Sequence, residues 1–207
     1  RSGVVKRIVV VGGGHAAAQF CASMIESKED IQLLLVSDES HLPYQRPPLS
    51  KTYLKDAAPE AALLRAASYY ADHNAVVRLS SRVTDIDRAS QTIGLDGGER
   101  LPYDVLVLAT GTRARTLPLF EGGHANVFTL RTLDDAVRLR ERLQSAQNLL
   151  VVGGGFIGLE IAATSAQLGK SVTLFEAAPR LLGRSSSPEV SAYLLEKHRA
   201  AGVDIRV

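Results

Sequence analysis

The sequence predicts an α/β protein made of two Rossmann-type βαβ units with a small β-meander. Three observations predict it. A β-branched apolar run, three glycines and a helical pattern follow one another twice, at Lys6–Val11 with Gly12-Gly13-Gly14 and at Asn148–Val152 with Gly153-Gly154-Gly155. A second apolar run returns after each helix, at Ile31–Val36 and Ser171–Phe175. Between the copies the texture changes to short strands around the turn Asp96-Gly97-Gly98. Continuous apolar runs suit parallel strands buried on both faces, and a strand–helix–strand unit in one sheet crosses over right-handed.

Residues 15–27 place Ala17, Phe20, Cys21, Met24 and Ile25 at helical spacing. Residues 82–87 and 91–95 read as strands of the meander, and 104–109 as a buried strand closed by Thr110-Gly111-Thr112. Residues 114–127 read as a crossing between domains, so the expected division is 1–113 and 114–207. Thr132 with Asp135 forms a capping-box pattern ahead of Ala136, Val137, Leu139 and Leu143. Residues 156–168 repeat the helical spacing with Ile157, Ile161, Ala162 and Leu168, and Gly169 is the stop. Ser187-Pro188-Glu189 opens the last helix. The chain begins without methionine and ends on a strand pattern, 203–207, which reads as a piece whose C-terminal part is missing.

A lone glycine motif is weak, but here each has its strand, its helix and an acid beyond. Gly12, Gly14 and Ala17 form the first fingerprint, and Gly153, Gly155 and Gly158 the second. The first glycine permits a tight turn, the second lets a pyrophosphate approach, and a small third residue lets helix and strand pack. Phosphates then sit at the helix N-terminus, where free N–H groups and the dipole favour negative charge. Asp38 and Glu39 in the first unit, and Glu176 in the second, stand where a ribose-binding acid is expected. A carboxylate at 176 would repel a 2′-phosphate by roughly 4 kcal/mol at 4 Å and an effective dielectric of 20, so NADH is expected over NADPH. Arg180 and Arg184 stand close enough to soften that preference.

Composition excludes several classes. Of the 207 residues, 45% are hydrophobic and 22% charged, and the net charge is +2 with both signs mixed, which points to a packed core and away from a nucleic-acid or membrane surface. The single cysteine forbids an intrachain disulfide and fits a reducing, cytoplasmic setting. On its helix, with Ala17 and Met24, Cys21 reads as a small buried hydrophobe. The five histidines show no ligand spacing.

The segment Leu42-Pro43-Tyr44-Gln45-Arg46-Pro47-Pro48-Leu49-Ser50-Lys51, with both fingerprints and Ala109-Thr110-Gly111, resembles the FAD-dependent ferredoxin reductases across essentially the whole chain. These are the NADH-oxidising partners of ring-hydroxylating dioxygenases and cytochromes P450, with rubredoxin reductase and apoptosis-inducing factor as relatives. The resemblance implies a glutathione-reductase-like FAD/NAD architecture, with FAD and NAD as cofactors and an iron–sulfur ferredoxin or rubredoxin as electron acceptor. It implies FAD contacts at Gly12, Gly14, His15, Ala16, Ala17, Asp38, Glu39, Arg46, Lys51, Val83, Thr110, Gly111 and Arg131. It implies nicotinamide-cofactor contacts at Gly153, Gly155, Phe156, Ile157, Gly158 and Glu176.

Lys51 and Glu160 match a pair near the flavin ring in that family. An ammonium there would stabilise negative charge developing on the ring, and a carboxylate would hold it in place. The residues alone favour the plainer reading of a surface lysine and a helix-start acid, and the resemblance reverses it. One departure stands out. Related disulfide reductases, peroxidases and oxidases carry reactive cysteine after the second strand, where this chain has Tyr44-Gln45-Arg46-Pro47-Pro48. Thiol chemistry is therefore not expected. Two other readings remain open: a flavoprotein like apoptosis-inducing factor, and a non-catalytic nucleotide-binding fragment.

Overall fold

The computed structural model describes residues 5–56, 59–120 and 122–207. The start Arg1-Ser2-Gly3 and Glu121 of the expected crossing lie outside the described residues. The chain divides into two compact units: Arg1–Gln45 with Ala61–Arg113, and Arg46–Glu60 with Ala114–Val207.

In the first unit, strand β1 (Lys6–Val11) leads into helix α1 (His15–Glu26), which returns to β2 (Ile31–Val36). Helix α3 (Ala67–Asp72) follows the short α2 (Thr52–Lys55) of the other unit and precedes β3 (Ala75–Arg78). The meander is β4 (Val83–Asp87), β5 (Thr92–Leu95) and β6 (Arg100–Pro102), and β7 (Val105–Leu108) completes the main sheet. That sheet is parallel with order β3-β2-β1-β7, so β1 is interior and its run Ile8–Val11 is buried. Val10 stands in register with Leu35 on one side and Val107 on the other.

Alternation along β1 serves two faces. Ile8 and Val10 pack with Ala17 and Cys21 of α1 and with Leu33, Leu35 and Tyr70. Val9 and Val11 pack with Ile93 and Leu95 of the meander and with Tyr103. The antiparallel meander thus covers the face that α1 leaves open. The strand Ala75–Arg78 has no signal in the sequence beyond two valines, because an edge strand of four residues with Val76 exposed needs no longer apolar run.

The second unit contains α4 (Leu133–Ser145), β8 (Asn148–Val152), α5 (Phe156–Gln167), β9 (Ser171–Phe175), α6 (Pro188–Ala200) and β10 (Asp204–Arg206). Its three parallel strands run in the order β10-β9-β8 over a core of Val151, Leu159, Ala162, Val172, Leu174 and Ile205. The box at the start of α4 forms as the sequence predicts: Asp135 N–H donates to Thr132 Oγ1 at 3.2 Å, and Thr132 N–H to Asp135 Oδ2 at 3.0 Å. Gly169, at φ +76°, ends α5; its N–H donates to Ala166 O and that of Lys170 to Ser165 O.

Residues 46–60 depart from the expected division at 113. The chain leaves and re-enters the first unit through a pinch, where Gln45 N–H donates to Ala62 O and Leu64 N–H to Pro43 O. The intervening segment packs with the second unit because Leu54 buries against Leu139 and Leu143 of α4. Each such leucine contributes about 1.5–3 kcal/mol, which outweighs proximity in sequence. Among the described residues no helix is long and apolar enough to cross a membrane.

Candidate functional site

The four longer helices begin in two different ways. Helices α4 and α6 carry side-chain caps, Thr132 and Ser187, and acids in their first turns. Helices α1 and α5 begin at Gly14 and Gly155, with no side-chain cap and no acid in the first turn. Free N–H groups at such a mouth call for an external acceptor.

The glycines divide by what requires them. Gly12 has φ +129°, and a Cβ there would stand 2.1 Å from Ala109 O, so the turn and the close approach to the end of β7 demand glycine. Gly153 has φ +106°, and a Cβ on Gly158 would stand 2.0 Å from Gly153 O. Ala17, the first unit's counterpart of Gly158, is fully buried. Gly14 and Gly155 are different. Their φ values, −92° and −82°, suit any residue, and a Cβ would meet nothing within 4 Å. The fold does not need glycine there. A diphosphate against the helix mouth would, and the chain fits that group at both loops.

The strand tips correspond through matched hydrogen bonds: Gly12 N–H donates to Val36 O, and Gly153 N–H to Phe175 O. The next residue is Ser37 in the first unit and Glu176 in the second. Glu176 Oε2 accepts from Gly154 N–H and its Oε1 from Ala178 N–H, both at 2.7 Å. In the first unit buried Ser37 occupies the tip beside Gly13, and Asp38 and Glu39 lie beyond it. Asp38 is exposed and 3.7 Å from Arg82, while Glu39 accepts from the hydroxyl of buried Tyr44. Sequence spacing missed Ser37; its signal was a polar residue directly after an apolar strand.

Around the first loop, His15 and Ala16 are exposed on the first turn of α1, and Thr110 and Gly111 are exposed beyond β7. Val83 opens β4, half-buried and in register with Leu95. Around the second loop, Phe156 and Ile157 stand 57% and 48% exposed at the mouth of α5, a high exposure for side chains of that size.

The second unit also gathers Arg46, Lys51, Arg131 and Glu160. Lys51 Nζ is 2.9 Å from Glu160 Oε2, and Ser50 Oγ donates to that same oxygen at 2.6 Å. Arg46 Nη1 donates to Arg131 O at 3.0 Å. A cavity of about 260 Å³ opens among Arg46, Ser50, Lys51, Arg131, Ile157 and Glu160. Glu160 is the fifth residue of α5, past the first turn, so the helix dipole does not account for it. Neither Ser50, inside the Leu42–Lys51 motif, nor Thr164 carries a signal in the sequence of what it touches.

Arg180 is committed to its own loop, donating to Ser186 O at 2.8 Å and Gly183 O at 2.9 Å. Cys21 is buried, and burial pushes its thiol up to about 12. Among the described residues no group of three His, Cys, Asp or Glu side chains is placed to hold a metal ion.

The family model for pyridine nucleotide-disulphide oxidoreductases matches residues 6–207. The chain is 40% identical over 195 residues to the 3-phenylpropionate/cinnamic acid dioxygenase ferredoxin--NAD(+) reductase component of Photorhabdus laumondii, covering 94% of this chain and 50% of that protein. It is 42% identical over 203 residues to the ferredoxin--NAD(+) reductase component of the p-cumate 2,3-dioxygenase system of Pseudomonas putida, covering 98% and 50%. Putidaredoxin reductase, in the crystal structure of its covalent complex with putidaredoxin, superposes with a TM-score of 0.93 at 41% identity, covering 99% of this chain and 50% of that one. The chain thus spans about half the length of the relatives it matches. With both glycine loops in place on parallel sheets, the chain belongs to the pyridine nucleotide-disulphide oxidoreductase family.

Proposed function

We propose that the chain is the FAD- and NADH-binding part of a ferredoxin reductase that passes electrons from NADH through FAD to an iron–sulfur ferredoxin or rubredoxin. One observation carries this reading. Two helices on parallel sheets open on uncapped glycine mouths that the fold itself does not require to be glycine.

In the first unit, Gly12, Gly14, His15, Ala16 and Ala17 would hold the FAD diphosphate, and Asp38, Glu39, Val83, Thr110 and Gly111 its adenosine end and surroundings. In the second, Gly153, Gly155, Phe156, Ile157 and Gly158 would hold NADH, while Arg46 and Arg131 would contact FAD and Lys51 would stand near its flavin ring. FAD, when bound, accepts two electrons as hydride and can release them singly. Lys51 supplies positive charge and Glu160 anchors it. Glu176, held by two backbone N–H groups, supports NADH, and Arg180, spent on loop carbonyls, offers no counterweight for a 2′-phosphate. The lone cysteine is buried and protonated, which argues against a thiol relay and fits a reducing, cytoplasmic setting. The names of the relatives support the acceptor class.

The test is the absorption spectrum of the purified protein before and after anaerobic NADH. A flavin band that bleaches with NADH, and faster than with NADPH, is expected. A colourless protein, or a band that NADH leaves unchanged, overturns the reading.

A further inference from the structure

The structure assigns Ser50 the role of a positioning residue for the Lys51–Glu160 pair. The Ser50 hydroxyl has one proton and two acceptors in reach, Glu160 Oε2 at 2.6 Å and Pro47 O at 3.4 Å. The shorter, charge-assisted bond takes the proton. Lys51 Nζ meets the same carboxylate oxygen at 2.9 Å, so two donors converge on one atom and fix its place. Ser50 is 4% exposed, and bulk water does not replace its hydroxyl. Thr164, one turn beyond Glu160 on α5, donates to Ser50 O at 2.9 Å. Helix α5 therefore grips Ser50 twice, by its side chain and by its carbonyl. Lys51 itself is half exposed, and its other contact is Pro47 O at 3.3 Å. An ammonium on a four-carbon stem wanders unless anchored. Its anchor is a carboxylate whose orientation depends on Ser50.

What the pair is for rests on the proposed function; its geometry does not. Ser50→Ala, Ser50→Thr and Thr164→Val separate the two. In cofactor-stripped protein, acetylation of Lys51 is followed by peptide mass spectrometry with Lys170 as internal reference. Ser50→Ala raises the Lys51 rate several-fold, Ser50→Thr stays within about twofold of wild type, and Thr164→Val falls between. In FAD-loaded protein, the limiting rate of flavin reduction by NADH drops about tenfold in Ser50→Ala with NADH affinity unchanged, and Ser50→Thr restores it. Unchanged Lys51 labelling in Ser50→Ala overturns the assignment. So does a rise shared by Ser50→Ala and Ser50→Thr together with a lowered melting temperature, which is the signature of packing alone. If labelling responds as expected but NADH does not reduce the wild-type flavin, the proposed function falls and the positioning role stands.

Discussion

Glu176 Oε2 accepts the N–H of Gly154 at 2.7 Å, so the acid at the tip of β9 also braces the glycine loop. Replacing it therefore has two effects, one on the charge presented to the cofactor and one on the loop. Glu176→Gln removes the charge and keeps one acceptor oxygen, enough for Gly154 or Ala178 but not both; it should narrow the ratio of kcat/KM for NADH over NADPH by about tenfold with a small loss of melting temperature. Glu176→Arg should favour NADPH further and lower the melting temperature more, because the brace is lost. Steady-state kinetics with both cofactors, beside a thermal melt, check this.

The glycines predict opposite phenotypes two residues apart. Gly14→Val places a side chain in open space at an ordinary φ, so the apo fold should survive with its melting temperature intact while FAD binding is lost. Gly12→Ala meets Ala109 O at 2.1 Å with φ at +129°, so it should destabilise by about 2 kcal/mol or more whether or not cofactor is present. Retained flavin absorption in Gly14→Val contradicts the phosphate site.

Lys51→Met should slow the anaerobic reduction of bound flavin by NADH about tenfold or more while changing FAD affinity less. Stopped-flow rates equal to wild type would leave Lys51 a structural partner of Glu160.

Asp135 links the α4 cap to pH. Burial favours its neutral form, but the N–H groups of Thr132 and Arg131 and the guanidinium of Arg138 outweigh that and hold its carboxyl below the usual carboxylate range. A folded pKa below the unfolded one means the contribution is fully present above about pH 4, the unfolded value, and is lost as pH falls through the folded value. Asp135→Asn should thus cost about 1 kcal/mol at pH 7, and the gap to wild type should close in acid. Urea melts at pH 7 and pH 3 measure it; a gap of the same size at both contradicts the ionic account.

Cys21 should resist thiol reagents. Burial pushes its thiol up to about 12 by disfavouring the thiolate, so native labelling with a chromogenic disulfide at pH 8 should be far slower than labelling in denaturant. Equal rates would mean the core around Ala17 and Tyr70 is open.

The two βαβ units were legible because their signals are local. An interior parallel strand must be continuously apolar, as Ile8–Val11 is, and a strand-to-helix turn against Ala109 must be glycine. The cap at Thr132 and the stop at Gly169 are local in the same way. Segment 46–60 was not legible. Its place is decided by Leu54 against Leu139 and Leu143, contacts about 85 to 90 residues distant in sequence, which no periodicity reports. The Lys51–Glu160 ion pair is readable through resemblance, while Ser50 and Thr164 are not, because a serine in a loop and a threonine in a helix carry no mark of what they will touch. Spacing alone does not say which of Ser37, Asp38 and Glu39 occupies the strand tip.

Helices α1 and α5 start with amide hydrogens that no side chain answers. The polypeptide on its own is consequently an unfinished object, and occupancy should raise its resistance to heat in proportion to the logarithm of nucleotide concentration. Durability, on this view, is partly delegated to the small molecule, and a starved cell would hold a softer protein than a well-supplied one.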